Sequence, residues 1–151
     1  ERGKEMAIEI CVFCGEKHSA FRSTLIQCGS TWQKACKACE KELRDLDEIE
    51  VCRRALIRGI AENPDRIRER IELITEAENH RPKCLRCGTN LTFMDVQELD
   101  NTPMQNSAFL GTFDVLPACC ESCGKYEFFN PAIIRKNKHL AYLIWKDTQD
   151  E

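Results

Sequence analysis

The chain has no stretch approaching the roughly 20 consecutive apolar residues of a membrane span, and no early apolar run of the kind that opens a secretory signal. A soluble, cytoplasmic protein with no membrane partner is therefore expected. Positive charge is not in excess either. The formal net charge is −3, and the runs 1–40, 41–83 and 84–151 carry +1, −1 and −3, so no segment is strongly basic. An overall field of this sign does not draw in nucleic acid. Only three histidines are present; His18, His80 and His139 are scattered and none stands in a ligand pair with another. There is no glycine loop of the phosphate-cradling form, no nucleophile–base constellation and no usefully spaced pair of carboxylates. No enzymatic activity is expected. With 7 glycines and 5 prolines, no low-complexity segment arises, and no internal repeat is evident beyond the cysteine pairs.

Cysteine is what the chain has in abundance: 11 of 151 residues. Eight of them form four Cys-x-x-Cys pairs: Cys11/Cys14, Cys36/Cys39, Cys84/Cys87 and Cys120/Cys123. Cysteines this close rarely bridge each other, so a disulfide scaffold is disfavoured. A thioredoxin-like redox motif lacks its βαβ surroundings. Four pairs make two complete four-sulfur sets, and tetrahedral Zn²⁺ takes four such ligands. Two zinc ions per chain are expected, each closed by four sulfurs and therefore structural. Iron is the alternative that all-sulfur chemistry leaves open. Eight thiolates against the four positive charges of two Zn²⁺ shift the formal −3 by −4, to about −7. A compact chain of this length would bury roughly 70% of its surface, but two halves fall where metals supplement small cores.

Residues 1–10 read as a polar lead into a strand, with Met6 a possible natural start and residues 1–5 an upstream remnant. The first knuckle is Cys11–Gly15, followed by a strand over 21–27, a turn at Cys28-Gly29-Ser30 and a returning strand over 31–35. Cys36 and Cys39 then lead into a helix over 40–46. Knuckle, hairpin and Cys-x-x-Cys at a helix start is the order of a treble clef, in which helix N-terminal N–H groups favour thiolate charge.

From Lys41 to Asn79 an apolar stripe runs through charged sequence: Leu43, Leu46, Ile49, Cys52, Leu56 and Ile60 recur at spacings of three and four. Asp47-x-x-Glu50 reads as an internal capping box, which allows a helix break near Leu46. Asn63-Pro64-Asp65 marks a new helix over about 65–78, carrying Ile67, Ile71, Leu73 and Ile74. The spacing suits an antiparallel helical hairpin in a monomer, with a coiled-coil dimer seam as the alternative.

After a linker at 80–83 comes the second unit. It contains a knuckle at Cys84–Gly88, a strand over 91–97, a loop over 100–107, a strand over 109–116, a knuckle at Cys120–Gly124 and a strand over 125–129. Asn130-Pro131 opens a last helix through about Asp147, although residues 139–145 also suit a strand. Of the remaining cysteines, Cys52 fits the helical stripe as a small core residue. Cys119 is the alternative ligand should the register differ, and Cys28 lies at a hairpin turn.

The run Cys84-x-x-Cys87-Gly88 … Leu91-x-Phe93 … Cys120-x-x-Cys123-Gly124-Lys-Tyr126-Glu-Phe-Phe129 resembles a family of small bacterial zinc-ribbon proteins described as nucleic-acid-binding, over about a third of the chain. The N-terminal part resembles a small bacterial four-cysteine domain of unknown function. The chain thus reads as a small α+β zinc protein: a treble-clef-like module over 1–46, a helical connector over 47–83, and a zinc ribbon with a C-terminal helix over 84–151. Its expected role is a protein-interaction adaptor for a partner the sequence does not name. The alternative is nucleic-acid binding through Arg135, Lys136 and Lys138, with Tyr126 as a stacking face.

Overall fold

A computed structural model describes residues 7–100 and 112–149. The possible start at Met6, the remnant at 1–5, and most of the expected 100–107 loop with the first three residues of the 109–116 strand lie outside them. The chain mixes helices and strands and divides into two compact units, Glu1–Ile74 and Thr75–Glu151.

In the first unit, β1 (Ile8–Ile10) pairs antiparallel with β2 (Lys17–Ser19) around the first knuckle. β2 has only three residues and no apolar alternation, so nothing in its sequence announces it. β3 (Ser23–Cys28) and β4 (Thr31–Cys36) form the expected hairpin. β3 starts two residues later than the sequence suggests, because Phe21 sits in a 3-10 turn with 89% of its surface exposed. Gly29 turns the hairpin at φ +64°, and a Cβ there would lie 2.7 Å from Arg70 Cγ, so a side chain would meet the packing helix.

Helix α1 (Lys37–Leu43) starts three residues earlier than expected, directly from Cys36 as N-cap. Helix α2 (Glu48–Leu56) starts at the capping signal: the Glu50 N–H donates to Asp47 Oδ1 at 2.8 Å. The break at 44–47 resets the helical phase, so the stripe from Leu43 to Ile60 holds only in part: Leu43 and Cys52 are buried and Leu46 and Leu56 pack against the same core. Val51, Cys52 and Ala55 are the buried positions, while Ile60, beyond the end of α2, is 47% exposed. These residues do not close a private hairpin. They join Val12, Cys28, Leu43 and Ile67 in one core, which seats α2 and the start of α3 (Pro64–Asn79) on the four-cysteine module. Two polar fasteners complete this unit. The buried Gln33 side chain donates to the Glu62 carbonyl and accepts from the Glu62 N–H, both at 2.9 Å. Arg70 donates to both oxygens of Glu48, at 2.7 and 3.1 Å.

In the second unit, the expected strand over 91–97 is two pieces, β5 (Thr92–Phe93) and β6 (Gln97–Asp100), both paired with β7 (Thr112–Cys119). Three residues, Met94 to Val96, oppose the two residues Leu116 and Pro117, which is a bulge. Pro117 explains its position. Its carbonyl accepts from Met94 N–H at 2.9 Å, so its ring nitrogen, with no proton to give, faces the same side. On the other edge of β7 lies β8 (Tyr126–Phe129). The single C-terminal helix expected from sequence is two: α4 (Pro131–Ile134) and α5 (Lys138–Asp147). Asn130 and Asn137 each cap one, and Asn137 Oδ1 accepts from the N–H groups of His139 and Leu140. An asparagine competes for backbone N–H groups this way inside a would-be helix.

Candidate metal centres

Three of the four pairs adopt the same turn. In each, the glycine N–H donates to the carbonyl of the first cysteine: Gly15 to Cys11 at 2.8 Å, Gly88 to Cys84 at 2.9 Å and Gly124 to Cys120 at 2.8 Å. The first cysteine's own N–H donates to the carbonyl five residues on, at Glu16, Thr89 and Lys125. These turns aim both sulfurs to one side. The fourth pair uses a helix instead, with Cys36 as N-cap and Cys39 in the first turn of α1.

The two sets meet as the sequence pairs them. The sulfurs of Cys11, Cys14, Cys36 and Cys39 all lie within 4.8 Å of one another, as do those of Cys84, Cys87, Cys120 and Cys123. All are free thiols. The sulfur separations of 3.8 Å for Cys14–Cys36, 3.6 Å for Cys84–Cys123 and 3.4 Å for Cys87–Cys120 are far beyond a disulfide. They lie close to the roughly 3.8 Å edge of a tetrahedron with metal–sulfur bonds of about 2.3 Å. The donor sets therefore fit a tetrahedral ion.

The surrounding dipoles favour thiolate at some positions and crowd it at others. Burial works against ionising Cys11, but backbone N–H groups of Cys14, Cys36 and Phe13 outweigh it and bring the thiol down to about 6. The Thr89 hydroxyl and N–H, with the neighbouring Cys120, bring Cys87 down to about 6. The later sulfurs move the other way. Burial, then the sulfurs of Cys36, Cys14 and Cys11, push Cys39 up. The Lys125 N–H favours Cys123 thiolate, yet burial and three neighbouring sulfurs push it up to about 12. Four sulfurs in such proximity cannot all ionise alone, and a divalent cation among them removes the conflict.

Arg58, just past the end of α2, braces the first knuckle. Its Nε donates to the Phe13 carbonyl at 3.0 Å, and a Cβ on Gly15 would lie 2.9 Å from its Nη1. Gly15 also holds φ +78°, a conformation costing other residues about 1–2 kcal/mol. Gly88 has a similar φ but open space around its Cβ direction. Gly15→Ala should therefore weaken zinc retention at the first set more than Gly88→Ala does at the second, measured by chelator competition. Equal effects would show that Arg58 braces nothing. Sequence spacing does not reveal Arg58, because it lies 45 residues from Phe13.

The remaining cysteines are placed outside both sets. Cys119 is partly buried in β7, opposite Thr92 and Tyr126. Cys28 and Cys52 are fully buried in the first unit's core, where hydrogen bonding with Cys52, then burial, pushes the Cys28 thiol up. Neither set includes a histidine; His80 instead stacks on His139 at 5.3 Å.

Of the candidate nucleic-acid residues, Arg135, Lys136 and Lys138 are exposed around the bend between α4 and α5. Tyr126, 52% exposed, lines a cavity of about 310 Å³ with Glu121 and Asp147 among its other walls. Carboxylates there oppose a phosphate backbone. Among the described residues no helix is long and apolar enough to cross a membrane. Comparison with protein-family models, curated proteins and solved structures finds no match to this chain.

Proposed function

We propose that both four-cysteine sets hold structural Zn²⁺ and that the chain is a non-enzymatic, cytoplasmic protein-interaction adaptor. The observation that carries the metal reading is the closure of each set: four sulfurs within 4.8 Å of one another fill a tetrahedral ion's positions and leave none for substrate. On this reading the first unit is treble-clef-like, its hairpin β3–β4 and helix α1 clamped to the knuckle. The second is a zinc ribbon, its knuckles joined by β5, β7 and β8. Eleven free thiols suit a reducing compartment. The acidic net charge of −3 favours a protein partner over nucleic acid. Affinity capture by the zinc-loaded chain from native lysate, with and without nuclease, tests the role. The adaptor reading expects a defined protein that nuclease does not release, and nuclease-sensitive capture contradicts it.

The nucleic-acid reading rests on the exposed Arg135, Lys136 and Lys138. If it holds, three neutralised phosphates give a log–log salt slope of about −2 to −3. Changing all three residues to Gln then abolishes binding without loss of zinc. Tyr126→Ala costs a further 1–3 kcal/mol, roughly, if the ring stacks on a base. Salt-resistant binding that survives both changes would place the contact elsewhere.

A further inference from the structure

The second unit carries an apolar groove beside the α4–α5 bend. Pro82, Phe129, Ile133, Ile134 and Leu140 line it, with Asn130 and Asn137, and its volume is about 380 Å³. That lies within the range of about 300–1,000 Å³ usual for ligand pockets. Both asparagine Oδ1 atoms are already used as helix caps, so beyond its apolar walls the groove offers only the two asparagine amide N–H groups. Ile133 stands at its lip with 65% of its surface exposed.

The charge around this groove runs against that of the protein. From Phe128 to Lys146 the chain holds Arg135, Lys136, Lys138 and Lys146 and no Asp or Glu, in a protein whose net charge is −3. Lys146 is taken by Glu78 at 2.8 Å. Arg135, Lys136 and Lys138 are exposed and in no ion pair among the described residues, and exposed Lys83 follows the groove wall Pro82. Three carboxylates of this unit are already paired: Glu78 with Arg81 and Lys146, Asp147 with Arg81, and Glu127 with Lys125.

We propose that this groove is the docking site for an acidic peptide segment of a partner protein, one that inserts large apolar side chains between Phe129, Ile133 and Leu140 and sets Asp or Glu residues against Arg135, Lys136 and Lys138. The proposal rests on the adaptor reading and names its partner's chemistry. The apolar lining selects a peptide over nucleic acid here, because the basic residues alone suit a phosphate as well as a carboxylate. Phe129 is the groove's one aromatic wall and already makes a T-shaped contact with Phe93 at 5.7 Å, and the other walls are aliphatic or amide side chains. Tyr126 belongs to the cavity with Glu121 and Asp147.

The test pans a phage library of short random peptides against the zinc-loaded full chain and measures the enriched peptides by fluorescence polarisation. Enriched sequences should combine apolar anchors with net negative charge. Ile133→Asp, at an exposed lip position, should weaken them about tenfold or more with both zinc ions retained. Lys136→Glu with Lys138→Glu should weaken them most at low salt. The proposal is overturned if enriched peptides lack acidic residues, if neither variant weakens them, or if oligo-dT displaces them from this face. In the lysate experiment, nuclease-resistant capture undiminished by Ile133→Asp removes the groove while leaving the adaptor reading intact. The absence of any nuclease-resistant capture removes both.

Discussion

Cys123→Ser should cost the chain one zinc ion and unfold residues 75–151 while leaving the first unit folded. Cys123 is one corner of a closed set, and its sulfur lies 3.6 Å from that of Cys84 on the opposite knuckle. With three ligands left the ion no longer ties the two knuckles together. A structural zinc of this kind contributes about 10–16 kcal/mol of apparent folding free energy near neutral pH. That equals or exceeds the whole stability of an ordinary domain, about 5–15 kcal/mol. Each unit holds its own four sulfurs, so the loss should be local. Backbone amide NMR of the full chain separates the outcomes: collapsed dispersion for residues 75–151 with shifts of the first unit retained. Cys36→Ser should produce the mirror image. Retention of the second unit's shifts after Cys123→Ser would mean its apolar core suffices without metal.

Arg81→Met should be strongly destabilising. Arg81 and Asp147 are each only 8% exposed at their side chains and meet through two hydrogen bonds, at 2.6 and 3.0 Å. Arg81 also donates to the Leu91 carbonyl at 3.1 Å and to both oxygens of Glu78, while Asp147 accepts from the Phe93 N–H at 2.9 Å. The pair thus binds the segment after α3, strand β5 and the end of α5 at one point. Hydrogen bonding to Arg81, against the opposing effect of burial, holds the Glu78 carboxyl down to about 2, so Glu78 stays ionised wherever thiolates can hold metal. Removing Arg81 leaves Asp147 buried without its cation, at a cost of about 3–5 kcal/mol. Lys146→Met, which removes a half-exposed partner of Glu78, should cost no more than about 1 kcal/mol. Adding Asp147→Leu to Arg81→Met should recover part of the loss, because no charge is then stranded. Denaturant unfolding of the zinc-loaded chain in a Trp32→Phe background, where Trp145 is the sole tryptophan reporter, gives all three. A loss for Arg81→Met no larger than for Lys146→Met would contradict the network's role.

The two four-cysteine groups were legible because their information is local. Cys-x-x-Cys-Gly fixes a turn, and the Asp47 and Asn130 caps announce helix starts within three residues of themselves. The parts that were not legible depend on distant partners. Arg81 and Asp147 are 66 residues apart, Gln33 and Glu62 are 29 apart, and neither pair has a spacing that a pattern could detect. The end of the stripe has a different cause. The Asp47 cap breaks the helix, so Cys52 and Leu56 keep their place at the core, Val51 and Ala55 join them, and Ile60, beyond α2, does not. Asn137 was readable as a cap, but the apolar positions on either side made one long helix look continuous. Pro117 could have flagged the bulge opposite it, since proline in a paired strand always leaves one donor missing.

The two-site claim is tested most directly by native mass spectrometry of freshly purified, reduced protein, with the metal identified by elemental analysis. The expected mass is that of the chain with two Zn²⁺, falling stepwise to one in Cys123→Ser. A chain carrying a single ion, no ion, or iron in place of zinc would contradict it.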